Sequence, residues 1–266
     1  MAGPLLLLVA CVFVTPASAS PITYGNFAGT HVVYGAVTED SADPLPVFGA
    51  PTITGNLLDF AALSFDAASI GGGSAPTTGT LSFTVTAKSG SRIEKIVVMD
   101  AGHTTLIGTV PLNTLDTWSQ VGTSFANGAI TISEVDFVGI SPIVIPFHVT
   151  HSPSGGSFFL GTDGGGGPSY QTAFSGSATL EVEQFLIILG IPFTFGATEA
   201  GVVWETSILA NSQAGTSAFI AINGVSVATS VTRVRSEVPE PATLALAGFG
   251  LASVMTVRRR RARRAP

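Results

Sequence analysis

The chain has one cysteine, Cys11, among 266 residues. That excludes a disulfide framework and any zinc site built from several cysteines. Basic residues are nearly as scarce over most of the length. Between positions 20 and 238 there are sixteen acidic residues and five basic ones (Lys88, Arg92, Lys95, Arg233 and Arg235), a net charge of −11. Such a body has no basic stripe to follow a phosphate backbone, which argues against nucleic acid as a partner. Aromatics are few, with 2 Trp and 3 Tyr. The body also has no apolar run long enough to cross a bilayer, and no helical periodicity stands out before Ala242.

What the body does have is alternation. Leu81, Phe83, Val85 and Ala87 alternate with Ser82, Thr84 and Thr86, and Ala178, Leu180 and Val182 alternate with Thr179, Glu181 and Glu183. A period of two places apolar groups on one face of a strand and polar groups on the other. Ile130 and Ile132 begin a third alternation, which Val135 and Phe137 continue on the opposite parity, so a β-bulge or a bend between sheets is expected near Ser133 and Glu134. Asn127-Gly128 and Asn223-Gly224 carry the strongest short hairpin signal, and the second is expected to join Phe219–Ile222 to Val225–Val227. Phe185–Ile191 is fully apolar and reads as a buried central strand; Ile143–Phe147 contains Pro146 and reads as an edge strand. Gly71–Pro76 and Ser152–Gly156 read as surface loops. The expected fold is all-β, a β-sandwich or jelly-roll-like domain over residues 20–236.

Chemistry-bearing groups are sparse. The glycine-dense stretch Thr162–Tyr170 lacks the lysine and hydroxyl ending of a phosphate loop and reads as a plain loop. His31, His103, His148 and His151 read as surface or loop histidines, and the three-residue spacing of His148 and His151 suits a shared metal poorly. Glu134 with Asp136, and Glu181 with Glu183, are the carboxylates that could serve a glycosidase or hold calcium, and each pair is expected to share a strand face turned to solvent. Trp118, Trp204, Tyr24, Tyr34 and Tyr170 are candidates for stacking on sugar rings, with buried core as the default. No catalytic residue, metal site or cofactor is expected.

The two ends differ from the body. Leu5–Val14 is an apolar core followed by Ala17-Ser18-Ala19, which reads as a secretory signal over residues 1–19, cleaved by signal peptidase with Ala17 and Ala19 at the site. Leu8-Val9-Ala10-Cys11 also matches a lipobox, the less favoured reading. At the other end, Ala242–Val257 is a sixteen-residue run without a charge. As a helix it is about 24 Å long, close to a hydrocarbon core of about 30 Å. Arg258, Arg259, Arg260, Arg261, Arg263 and Arg264 follow it, as a cytoplasmic stop flanking a short transmembrane helix does.

Val238-Pro239-Glu240-Pro241, then the apolar run, then the arginines, resembles the PEP-CTERM sorting signal of Gram-negative bacteria, here spanning 237–266. The resemblance implies recognition through Pro239, Glu240 and Pro241 by exosortase, a membrane-embedded transpeptidase-like enzyme. It implies an inner-membrane intermediate, then a place at the cell surface or in the extracellular matrix, with a structural or adhesive role linked to exopolysaccharide or biofilm. The alternative is an extracellular carbohydrate-binding module, and behind it a secreted glycoside hydrolase.

Overall fold

The alternation at Leu81–Ala87 is one half of a longer strand, and the computed structural model is built of such strands almost throughout. It describes residues 20–41, 46–60, 65–108, 117–122, 128–165 and 167–233. The signal segment, the sorting tail and Asn127 lie outside the described residues. Residues 1–232 form one compact unit, and 233–266 a second that is almost entirely outside them.

Two antiparallel sheets make up the first unit. The first runs in the order β1 (Ile22–Ala28), β2 (Val32–Ser41), β6 (Gly73–Ala87), β14 (Ala197–Ser212), β8 (Trp118–Val121), β12 (Ser157–Phe159). β9 (Gly128–Val135) also pairs with β14, and β10 (Val138–Phe147) pairs with β9 at the edge. The second runs β11 (Thr150–Ser152), β13 (Ser169–Glu181), β7 (Ser91–Ile107), β15 (Ser217–Arg233), β4 (Leu57–Phe60), β3 (Thr52–Thr54), with β5 (Phe65–Ile70) beside the first half of β15. This is the all-β fold that the alternation implies.

The sheets face each other, and side chains cross between them. Tyr34 of β2 and Thr229 of β15 hydrogen-bond through their hydroxyls at 2.8 Å. Thr104 of β7 meets Ser119 of β8 at 2.6 Å, and Ser69 of β5 meets Ser212 of β14 at 2.8 Å. Around these bonds Leu81, Phe83, Val85, Ile93, Ile96, Val202 and Trp204 are buried from opposite sides. Burying each such side chain contributes about 1.5–3 kcal/mol, and a buried hydroxyl is tolerated because it has a partner.

Several local expectations hold and several do not. Val135 pairs with Ala197, Glu134 with Glu199 and Ile132 with Ala200, so the register skips at Ser133, where the parity of the sequence changes. β10 carries Pro146 at an edge, where its missing N–H costs no ladder bond. Phe185–Ile191, by contrast, is not a buried strand. Val182–Ile188 forms a helix, α2, that buries Val182 and Leu186 and leaves Ile187 and Ile188 at 63% and 69% exposure. The spacing of Val182, Phe185 and Leu186 fits a helical face, with Glu183 and Gln184 between them. Asn223-Gly224 is not a hairpin either. β15 runs through it unbroken, pairing with β5 up to Ile222 and with β4 from Val225, so the pair marks a change of partner rather than a turn. Gly73–Pro76 belongs to β6 rather than to a loop, whereas Ser154–Gly156 forms a 3-10 turn. Within the glycine-dense stretch, Leu160–Asp163 forms a single helical turn, α1, and Ser169 already begins β13.

Candidate functional site

Three of the four carboxylates singled out in the sequence bond to a structural partner. Glu134, in β9, accepts a hydrogen bond from the Thr198 hydroxyl at 2.7 Å. Asp136 sits in the turn that follows, with φ of 55° and Phe137 at 62°. Its carboxylate accepts the backbone N–H groups of Thr194 (2.6 Å), Phe195 (2.7 Å) and Gly196 (2.8 Å). Burial acts to raise the Asp136 carboxyl, but these three donors, with Arg92 nearby, outweigh it and hold it below the usual carboxylate range. Glu181 ends β13 opposite Lys95, and Glu183 lies in α2 in an ion pair with Arg92 at 3.2 Å. The two therefore do not share a strand face, because the strand stops between them.

The tryptophans separate as well. Trp204 is 1% exposed inside the sandwich and cannot meet a ligand. Trp118 is half-buried and turns outward on β8, since its neighbour Ser119 points into the core. Phe159 of β12 lies directly opposite it in register, with ring centroids 6.3 Å apart and planes tilted by 36°. This half-exposed aromatic pair on the outer face of the first sheet includes a partner that the sequence did not point to; only strand register brings position 159 to position 118.

One histidine reverses its expectation. His151 is 6% exposed, and its Nε2 lies 3.1 Å from Oδ2 of the buried Asp100. The two residues stand on β11 and β7 with β13 between them, in the row His151, Gly176, Asp100. A Cβ at Gly176 would fall 2.4 Å from Asp100 Oδ1 and 2.5 Å from the His151 ring, so the ion pair exists because the strand between is bare at that point. No hydroxyl or thiol nucleophile bonds to this imidazole among the described residues, and the pair reads as a polar tie across three strands. The other histidines sit at the surface or half-buried, His103 bonded to Asn223.

Above this row, the outer face of the second sheet carries a shallow groove of about 420 Å³ crossing β13, β7, β15 and β4. Ser175, Ser177, Ala101 and Ser226 make it broad and smooth, and Asp59 is the carboxylate on its wall. Small side chains on a sheet face leave room for an extended ligand but provide no ring for it to stack on. No group of three or more His, Cys, Asp or Glu is placed to hold a metal ion among the described residues.

These features define an all-β protein of two antiparallel sheets, with an uncharged run and an arginine cluster in the sequence that follows. A family described as the PEP-CTERM protein-sorting motif matches residues 237–261, so the chain carries that sorting signal. The motif implies exosortase-dependent export and processing at the membrane. No curated protein sequence matches the chain. Among solved structures, the enzymatically active domain of tailspike protein 4 of bacteriophage CBA120 is similar at 10% identity and a TM-score of 0.19, over 82% of this chain and 20% of that one. The module TmCBM61, in complex with beta-1,4-galactotriose, aligns at 10% identity and 0.14, over 77% and 89%. Endoglucanase 3 of Trichoderma harzianum, from family GH12, aligns at 10% identity and 0.20, over 82% and 100%. The chain thus spans a fifth of the first of these, and scores of this size carry no functional argument.

Proposed function

We propose that this is an exosortase-processed surface or matrix protein of a Gram-negative bacterium, whose β domain plays a structural or adhesive part alongside exopolysaccharide. The sequence of the tail carries the reading: Pro239-Glu240-Pro241, an uncharged run from 242 to 257, and the cluster Arg258–Arg264, with the sorting motif matching 237–261. The domain acts by binding and not by turnover. What supports this is that Glu134, Asp136 and Glu183 are each engaged by a neighbour that fixes a turn or a helix. Intact-mass measurement of protein from a strain with active exosortase tests the processing. The expected chain begins at Ser20 and lacks the arginine cluster; recovery of Arg258–Arg264 on the mature protein overturns it.

A second reading, a carbohydrate-binding module, is favoured by one observation, the Trp118–Phe159 ring pair on an outer sheet face. On that reading Trp118→Ala weakens retention on matrix polysaccharide by about 10- to 100-fold, the scale of one or two sugar-stacking contacts. Unchanged retention leaves the structural reading alone.

A further inference from the structure

Ten large apolar side chains are exposed on the described surface. Six of them, Phe137, Val138, Ile187, Ile188, Leu189 and Phe195, stand at one end of the sandwich. They come from the β9–β10 turn, from α2 and from the segment that leads into β14. Polar contacts hold these segments together: Arg92 binds both Glu183 of α2 and the Phe195 carbonyl, and the Asp136 carboxylate holds the N–H groups of 194–196. An apolar surface this concentrated marks a contact face.

Two other features fall at the same end. The Thr232 hydroxyl donates to Glu94 near the start of β7, so the last strand of the domain leaves the fold here. Lys88, Arg92, Lys95 and Arg233, all four basic residues of the described body, also lie at this end, among the carboxylates of Glu94, Glu134, Asp136, Glu181, Glu183 and Glu199. Away from it, among the described residues, Asp59, Asp66, Asp163 and Glu205 have no basic counterpart. The described body is acidic throughout, and its exit end is the part where all of its cations are gathered.

We propose that this end is a membrane-docking face, with the side chains of Ile187, Ile188, Leu189 and their neighbours lodged in the headgroup–acyl boundary of the bilayer that holds the tail. The inference rests on the sorting reading. Residues 234–241, fully extended, reach about 28 Å at most, so the exit end is the part of the domain tethered close to lipid. Anionic headgroups repel the cation-free remainder more than the end that gathers the four cations, and apolar side chains at a lipid surface bury area that water would otherwise cover. The domain then stands end-on, and Pro239-Glu240-Pro241 is presented at the depth where a membrane-embedded enzyme meets its substrate.

The test uses the full chain with Cys11→Ser and one nitroxide label, at Ile188→Cys or, at the opposite end, Ile107→Cys. The protein is reconstituted into vesicles of phosphatidylethanolamine and phosphatidylglycerol, and tail insertion is checked by resistance to alkaline extraction. The expected result is that the label at 188 loses accessibility to a water-soluble nickel chelate and gains it to oxygen, while the label at 107 stays accessible to nickel. Leu189→Cys repeats the measurement at a second exposed position. If the tail is inserted and the label at 188 remains as accessible to nickel as that at 107, the docking face is refuted and the sorting reading survives. If the label is shielded from both reagents and shows dipolar broadening, a second copy of the chain covers the face and the proposal is equally refuted. If the tail does not resist extraction, the sorting reading fails and the docking face with it.

Discussion

Tyr34 shows how much one hydroxyl carries in this fold. Its ring is buried edge-on to Phe83, and its O–H reaches Thr229 together with the carbonyl of Asn56 at 2.6 Å. Tyr34→Phe keeps the ring and strands the Thr229 hydroxyl, so a loss of about 1–2 kcal/mol in urea unfolding is expected. Burial pushes the phenol up to about 12, partly offset by the hydrogen bonds of Thr229. A folded value above the unfolded one means the contribution is whole below the unfolded value and is lost as pH rises through the folded one. Stability therefore declines from the ordinary tyrosine range up to about 12, and Tyr34→Phe flattens that decline; an equally steep alkaline fall in the variant counts against it. Asp136 has the opposite sign. Its carboxyl is lowered, so its contribution is present above the unfolded value and lost as pH falls through the folded one. Asp136→Asn is expected to cost about 1 kcal/mol at neutral pH, with variant and parent converging in acid; a constant gap in melting temperature down to strongly acidic pH excludes the charge as the cause.

At the scale of elements, the Gly176 position of β13 makes a sharp demand. Gly176→Ala places a methyl group between Asp100 and His151, and because strand register fixes both, the relief must come from the ion pair or the sheet. A loss of about 1–3 kcal/mol in denaturant unfolding is expected, and full stability in the alanine variant would mean that the close approach is not made. The sequence could not show this, since positions 100, 151 and 176 meet only through strand order. The same limit explains α2 and the Asn-Gly pair in β15. A short apolar run is compatible with strand or helix, and an Asn-Gly pair turns the chain only where a neighbouring strand is available to close a hairpin. Where alternation is long, as in β6 and β13, burial follows the sequence residue by residue; the parity change at Ser133 likewise marks a real skip in register.

For the whole molecule, the fold class and the sorting motif were legible and the surfaces were not. Composition and alternation pointed to two β-sheets, and the tail's three-part order pointed to the sorting motif at 237–261. The aromatic pair at Trp118 and Phe159 and the apolar end at α2 depend on which strands lie side by side, which a linear pattern does not encode. Cys11 is the lone cysteine and precedes Ser20, so the mature protein is expected to melt at the same temperature with and without reducing agent. A reductant-dependent shift would show that Cys11 is retained and bridged between chains.

The placement of β14 and β15 has a consequence for how the protein is made. These are the last two strands among the described residues, yet β14 lies between β6 and both β8 and β9, and β15 lies between β7 and both β4 and β5. Neither sheet can close until its central strand has emerged. A chain made from its N-terminus therefore delivers first a set of separate ribbons, β1–β2–β6, β3–β4, β9–β10, β8–β12 and β11–β13–β7, each with an open backbone edge where β14 or β15 will insert. Completion of either sheet waits for residues 197–233, the last strands before the sorting motif at 237–261. The end of the domain is therefore its least dispensable part, since a truncation upstream of Arg233 removes the middle of a sheet instead of its rim.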